Sequence, residues 1–290
     1  MKSYIILFLL LLLLVKLSQA QIDFPNPSPP AYLKQKVGFT DIIVEYERPA
    51  VRGRQIMNGL VPYGKIWRTG AGKCTRISFS QDVIIHQKLI KAGAYSLFTI
   101  PNATEWTVIF NTDTALYGAY DHDPGKDVIR FTVTPQKPSR FYETFTIDID
   151  VVNYNAEFYL SWENTQIHFP VLTGADERIM DSINQQLIAG ESDNGNVYGS
   201  AADYYFLNNK DLQQALKFAE QAIRKNGEVS SYYRKMQILD KLGDYPGAIE
   251  AAKAGIQYIR MYGKRHNYDI PLEISFLEEH IAALKKKIND

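Results

Sequence analysis

Seven basic residues, Arg48, Arg52, Arg54, Lys65, Arg68, Lys73 and Arg76, fall between Arg48 and Gln81, and that stretch contains no acidic residue. A guanidinium is a planar fork that grips a carboxylate or phosphate through two parallel hydrogen bonds. Gly53, Gly64, Gly70 and Gly72 are interleaved with the cations and permit close backbone approach to a ligand. Tyr63 and Trp67 supply flat faces for a sugar or ring. The pattern predicts a pocket for an anionic small molecule or acidic glycan, formed by Arg48, Arg54, Tyr63, Trp67 and Arg68. The competing expectation is internal: Arg48 and Arg68 pair with Glu45, Glu143 or Glu163 and pin loops to the scaffold, because structural ion pairs imitate functional clusters.

Other chemistry has thinner support. The run Asp121-His122-Asp123-Pro124-Gly125-Lys126-Asp127 offers alternate carboxylates that suit calcium. Its flanks read as strands, so a solvated hairpin turn is expected and no metal is assigned. Glu143 and Glu163 form a carboxylate pair of the glycosidase kind only if they lie roughly 5–10 Å apart. No Gly-x-Ser-x-Gly elbow or His-Glu-x-x-His motif occurs, and the five histidines are scattered. Basic neighbours would activate a thiol at Cys74, but no histidine lies near it in sequence, and a small buried residue is expected there. No catalytic residue and no cofactor is assigned.

The elements that position these residues follow from pattern and composition. Of 290 residues, 46% are hydrophobic, and 32 basic residues balance 32 acidic ones. That is enough apolar chain for packed cores, and the neutral balance argues against nucleic acid as a partner. The single cysteine excludes an internal disulfide framework. Residues 1–20 read as a signal peptide: Lys2, an apolar run from Tyr4 to Val15, then Ser18-Gln19-Ala20 as the cleavage site. The run is shorter than the roughly 20 residues that span a bilayer. Cleavage would leave no membrane span, and export to the periplasm or medium is expected.

Residues 21–32 hold four prolines and read as a linker. From 33 to 172, short alternating runs separated by turn residues predict an antiparallel β-sandwich; Ile42, Val44 and Tyr46, for example, alternate with polar or outward positions. From 173 to 290 the period becomes helical. Residues 209–223 align with 243–256 at a 33-residue offset, matching Asp211 to Asp244, Ala215 to Ala248, Ala219 to Ala252 and Ile223 to Ile256. A period near 34 with small residues at these positions is tetratricopeptide-like. The fold class is thus α+β in two parts: an antiparallel β-sandwich followed by an α-helical tetratricopeptide-like tail, closed by a helix over 272–288.

The motifs RPAVRGRQI (48–56), LVPYGKIWRTGAGKCT (60–75), KAGAYSLFTIP (91–101), EWTVIFN (105–111), DVIRFTV (127–133), ETFTIDI (143–149) and LSWENTQIHFPV (160–171) occur in an order that resembles domain-of-unknown-function family 2911. The resemblance implies an exported bacterial protein of Bacteroidetes type, often with a helical tail, and assigns no activity. Two departures stand out. Where the family usually has Asn-Glu-Ala, this chain has Gly72-Lys73-Cys74; where it usually has Asn-Gly, this chain has His86-Gln87. The function expected is a non-catalytic binding module for an anionic small molecule, glycan or envelope component, with a tail for protein contacts. The alternatives are a hydrolase using Glu143 or Glu163, and a structural envelope or assembly protein.

Overall fold

The computed structural model describes residues 23–225 and 228–289. The expected signal peptide at 1–20 lies outside the described residues. The chain forms two compact units that divide between Gly174 and Ala175.

The first unit holds eleven strands in two antiparallel sheets. One sheet runs in the order β1 (Pro30–Val37), β2 (Thr40–Glu47), β3 (Thr75–Phe79), β6 (Gly93–Ile100), β7 (Trp106–Asn111), β8 (Asp127–Val133). The other runs β5 (Lys88–Ile90), β4 (Val83–Ile85), β11 (Thr165–Leu172), β10 (Asn155–Glu163), β9 (Tyr142–Val152). The alternation read in β2 is kept: Ile42, Val44 and Tyr46 are buried while their neighbours are half-exposed. The inner faces of both sheets share one core that includes Ile42, Phe110, Phe158, Trp162 and Phe169. β1 is a correction to the expected linker, because it opens at Pro30 and pairs with β2 to Glu47. Proline is tolerated there because it is the first residue of an edge strand.

β9 is an edge strand, and the chain leaving β2 lies along its free side. Val51 donates to the Glu143 carbonyl at 2.7 Å, and Phe145 donates to the Pro49 carbonyl at 2.9 Å. Further along, the Tyr46 hydroxyl accepts the Ile147 N–H at 3.0 Å, and the Asp148 carboxylate accepts the Ile149 N–H at 2.9 Å. Burial pushes the Tyr46 phenol above its ordinary pKa, outweighing the hydrogen bond from Ile147, which acts the other way.

The β4–β5 turn carries a local conflict. His86 and Gln87 both have positive φ, 47° and 64°. A two-residue turn of this kind favours Asn-Gly, because side chains in the left-handed region cost roughly 1–2 kcal/mol each. Gln87→Gly is therefore expected to raise stability by about 0.5–1 kcal/mol, after discounting the greater freedom of glycine in the unfolded chain. Thermal melting checks this. His86→Asn should gain less, because the imidazole stacks on Phe131 with ring centroids 5.3 Å apart.

The second unit has six helices among the described residues: α1 (Ala175–Ile183), extended by a π-helical turn over Asn184–Ile188, then α2 (Gly195–Leu207), α3 (Leu212–Arg224), α4 (Val229–Lys241), α5 (Tyr245–Tyr262) and α6 (Ile270–Asn289). The aligned sequence blocks occupy equivalent places. Asp211 and Asp244 cap α3 and α5 by accepting backbone N–H groups. Ala215, Ala219, Ala248 and Ala252 are fully buried where helices pack. Asn209 and Gly243 take positive φ in the two inter-helix turns. The closing helix α6 buries Leu277 and Leu284 and ties Lys287 to Asp240 of α4 at 2.6 Å. The tail tyrosines Tyr204 and Tyr205 are buried in helix packing.

Candidate functional site

Strands β6 and β7 are buried on both faces. On the outer face a small cluster of Phe98, Ile109 and Cys74 is covered by Ile66, Ile100, Leu116 and Ala119. Two loops supply most of that cover, Ile66 from the one entering β3 and Leu116 and Ala119 from the one leaving β7, while Ile100 ends β6. They are joined by backbone hydrogen bonds, Cys74 to the Leu116 carbonyl (3.1 Å) and Gly118 to the Gly72 carbonyl (3.1 Å). An open cleft of about 170 Å³ lies between them, lined by Leu60, Val61, Pro62, Lys65, Ile66, Trp67, Arg68, Ala119 and Tyr120.

The segment carrying Arg68 is held on both sides. Trp67 exchanges two backbone hydrogen bonds with Thr99 and gives its indole N–H to the Gly70 carbonyl at 3.0 Å. Thr69 is fully buried at φ 55°, an unfavourable setting for a β-branched residue. Its hydroxyl reaches the Thr99 hydroxyl at 3.1 Å, which helps hold it there. Arg68 therefore leaves a rigid backbone. It donates to the Gly72 carbonyl at 3.2 Å. Gly118, at φ 78°, lets the β7 loop close over it, since a Cβ there would lie 3.2 Å from the guanidinium and 2.8 Å from the Tyr120 ring. Lys65 is exposed. Among the described residues no carboxylate lies within ion-pair distance of Lys65 or Arg68, and no lining residue is acidic.

The five residues expected to form the pocket do not converge. Arg68 lines the cleft. Arg48 is a correction: its guanidinium donates to the Phe145 carbonyl (3.0 Å) and to the hydroxyls of Thr144 (2.9 Å) and Thr146 (2.7 Å). Arg54 is another, because it donates to the Val51 and Ala50 carbonyls of its own loop. Tyr63 packs against the main core. Trp67 contributes to the cleft wall, but its ring is buried, stacked on Trp162 with centroids 5.7 Å apart. The expected carboxylate partners are corrected as well: Arg48 bonds neutral acceptors, and Glu45 pairs with Arg76 at 2.6 Å. Sequence reasoning passed over Tyr120 as a lining residue and counted Lys65 only as part of the charge run.

The remaining candidates are occupied structurally. Glu143 accepts the Arg52 N–H at 2.9 Å. Glu163 stands opposite Tyr142 in the β9–β10 register, so Glu143, one residue on, falls on the other face of the sheet. Cys74 gives its thiol to the Gly118 carbonyl, and burial pushes its pKa up to about 11, the reverse of an activated nucleophile. The Asp121–Asp127 run lies between the paired strands β7 and β8 and is exposed from Asp123 to Lys126, as expected of a solvated hairpin turn, but two of its side chains turn inward. The His122 and Asp127 side chains are only 7% and 5% exposed and lie 2.9 Å apart. Asp127 also accepts from Asn111 (2.7 Å) and Arg130 (2.6 Å). Among the described residues no His, Cys, Asp or Glu cluster suits a metal ion. In the helical unit a second hollow of about 150 Å³ contains Arg234, already paired with Asp203 at 2.5 Å.

A two-sheet β unit bearing a cationic cleft, followed by a helical unit, defines an α+β protein in two parts. The family described as Protein of unknown function (DUF2911) matches residues 28–171, and this segment belongs to that family. No curated protein and no solved structure matches the chain. Within the Gly72-Lys73-Cys74 segment, Gly72 takes φ 55° and a Cβ there would run into the Glu47 carboxylate, while Cys74 lies in the buried cluster under the cleft. Among the described residues no helix is long and apolar enough to cross a membrane.

Proposed function

We propose that the β unit is a non-catalytic binding module that holds one anionic group, a carboxylate, sulfate or phosphate carried by a sugar or small molecule, at Lys65 and Arg68. The observation that carries this reading is the pair of cations on one cleft without a carboxylate partner. Arg68 offers the bidentate fork and Lys65 a mobile point charge. Tyr120, 87% exposed, and Leu60, 48% exposed, offer flanks for the ring or chain that bears the charge. The cleft is smaller than the roughly 300 Å³ at which small-molecule pockets begin, which suits one charged group or sugar unit of a larger ligand. The export expected from residues 1–20 would put this site outside the cytoplasm. A hydrolase acting through Glu143 or Glu163 gains no support, since neither lines the cleft.

Thermal shift assays at low ionic strength with glucuronate, sulfate and phosphate test the proposal. Lys65→Glu combined with Arg68→Gln should weaken the binding of the stabilising anion by about tenfold to a hundredfold, from loss of two charge-assisted contacts. Lys34→Glu combined with Lys36→Gln, at two exposed positions of β1, changes the charge by the same amount and should leave binding intact. No stabilisation by any of the anions, or an equal loss in the β1 variant, refutes the assignment.

A further inference from the structure

The hairpin tip joining α5 to α6 is the second place where cations gather without acids. From Gly255 to Tyr268 the chain contains Arg260, Lys264, Arg265 and His266 and no acidic residue. All four side chains are exposed, and among the described residues none of the three permanently charged ones lies within ion-pair distance of a carboxylate. The nearby acids have other work. Asp269 accepts the Leu272 N–H at the start of α6 (3.2 Å), and Glu273 accepts the Tyr233 hydroxyl. Glu228, at the start of α4, raises the pKa values of Tyr258 and Tyr268 behind the desolvation that dominates both.

Apolar side chains share the tip. Met261 is 67% exposed, Leu272 is 65% exposed, and Tyr262 lies between them in sequence. The turn itself is built: Gly263, Arg265, His266 and Tyr268 all donate backbone N–H groups within it. The rings of Tyr232, Tyr258, His266 and Tyr268 contact one another in series, the first pair tilted and the other two stacked, with centroid spacings of 5.4, 6.1 and 5.4 Å. Cations at the end of α5 complement the negative end of its dipole, but that leaves the outward Met261 and Leu272 unexplained. The stacked rings have spent their faces on one another, which disfavours nucleobases as partners. Cations flanking exposed apolar side chains at an inter-helix turn match an interfacial lipid contact, with basic groups at headgroup phosphates and apolar groups at the acyl boundary.

We propose that the α5–α6 tip docks peripherally on an anionic lipid surface. This does not rest on the cleft in the β unit. The test is co-sedimentation of the full chain with vesicles of phosphatidylglycerol and phosphatidylcholine in equal parts, against phosphatidylcholine alone. The wild type should partition onto the anionic vesicles and release with salt. Lys264→Glu/Arg265→Glu should lower partitioning by at least about 25-fold, roughly fivefold per cation removed. Met261→Ser/Leu272→Ser should lower it several-fold with charge unchanged. The proposal fails if the wild type shows no preference for anionic vesicles, or if the double charge reversal binds as well as the wild type. Full displacement by inorganic phosphate would make the tip a phosphate site and overturn the surface reading. Binding of poly-glutamate that responds to the charge reversal but not to the serine pair, with vesicle binding equally indifferent to the serines, would reassign the tip to an acidic protein.

Discussion

Trp67→Ala is expected to destabilise the β unit by about 3–5 kcal/mol, the range for removing a buried aromatic side chain. The ring touches three others: Trp162 in a stack, Phe145 at 5.1 Å and Trp106 at 6.4 Å, both edge-on. Each such pair contributes roughly 0.5–1.5 kcal/mol beyond burial alone. Truncation also orphans the Gly70 carbonyl, which accepts the indole N–H. Urea unfolding followed by circular dichroism measures the loss. A variant that kept the wild-type unfolding curve yet no longer bound anions would show the indole to be a ligand platform, against the packing described above.

The second large effect is predicted at Arg48. Removing the guanidinium in Arg48→Ala should cost about 2–4 kcal/mol, because hydrogen bonds from a charged donor are worth roughly 1.5–3 kcal/mol each and their acceptors are left partly buried. Arg48→Lys should recover less than about half of that. A lysine ammonium is a single point and cannot span the Phe145 carbonyl and two threonine hydroxyls as the fork does. The same unfolding assay applies. Arg48→Ala with full stability and weakened anion binding would return Arg48 to the ligand site.

The comparison of Arg48 with Arg68 shows how far the sequence could be read. The absence of acids from 48 to 81 is a true anomaly, and it located the loop that borders the cleft. Counting acids sees only charged partners, however. Arg48 and Arg54 are satisfied by carbonyls and hydroxyls, which carry no net charge, and the acceptors of Arg48 lie 96 to 98 residues away. Trp67 was open to misreading because its orientation depends on a bridge to Thr99 that no local pattern encodes. The sandwich itself was legible, since period-two alternation survives wherever one face is buried, as in β2. It persists in β1, where exposed positions alternate with half-buried ones up to the buried Val37, and is lost in β5, which has only three residues. In the helical unit the buried alanines and capping aspartates marked the paired helices directly.

The hydrogen bonds along the outer side of β9 have a consequence for how copies of this chain can meet. An unpaired strand is a template on which a second molecule extends the sheet, the first step toward swapped dimers and fibrils. On β9 that template is already used by Pro49, Val51, the Tyr46 hydroxyl and the Asp148 carboxylate. Self-association by strand addition is therefore barred along most of this border. Crowded molecules are left to meet through β1, β5 or β8, or through side chains alone.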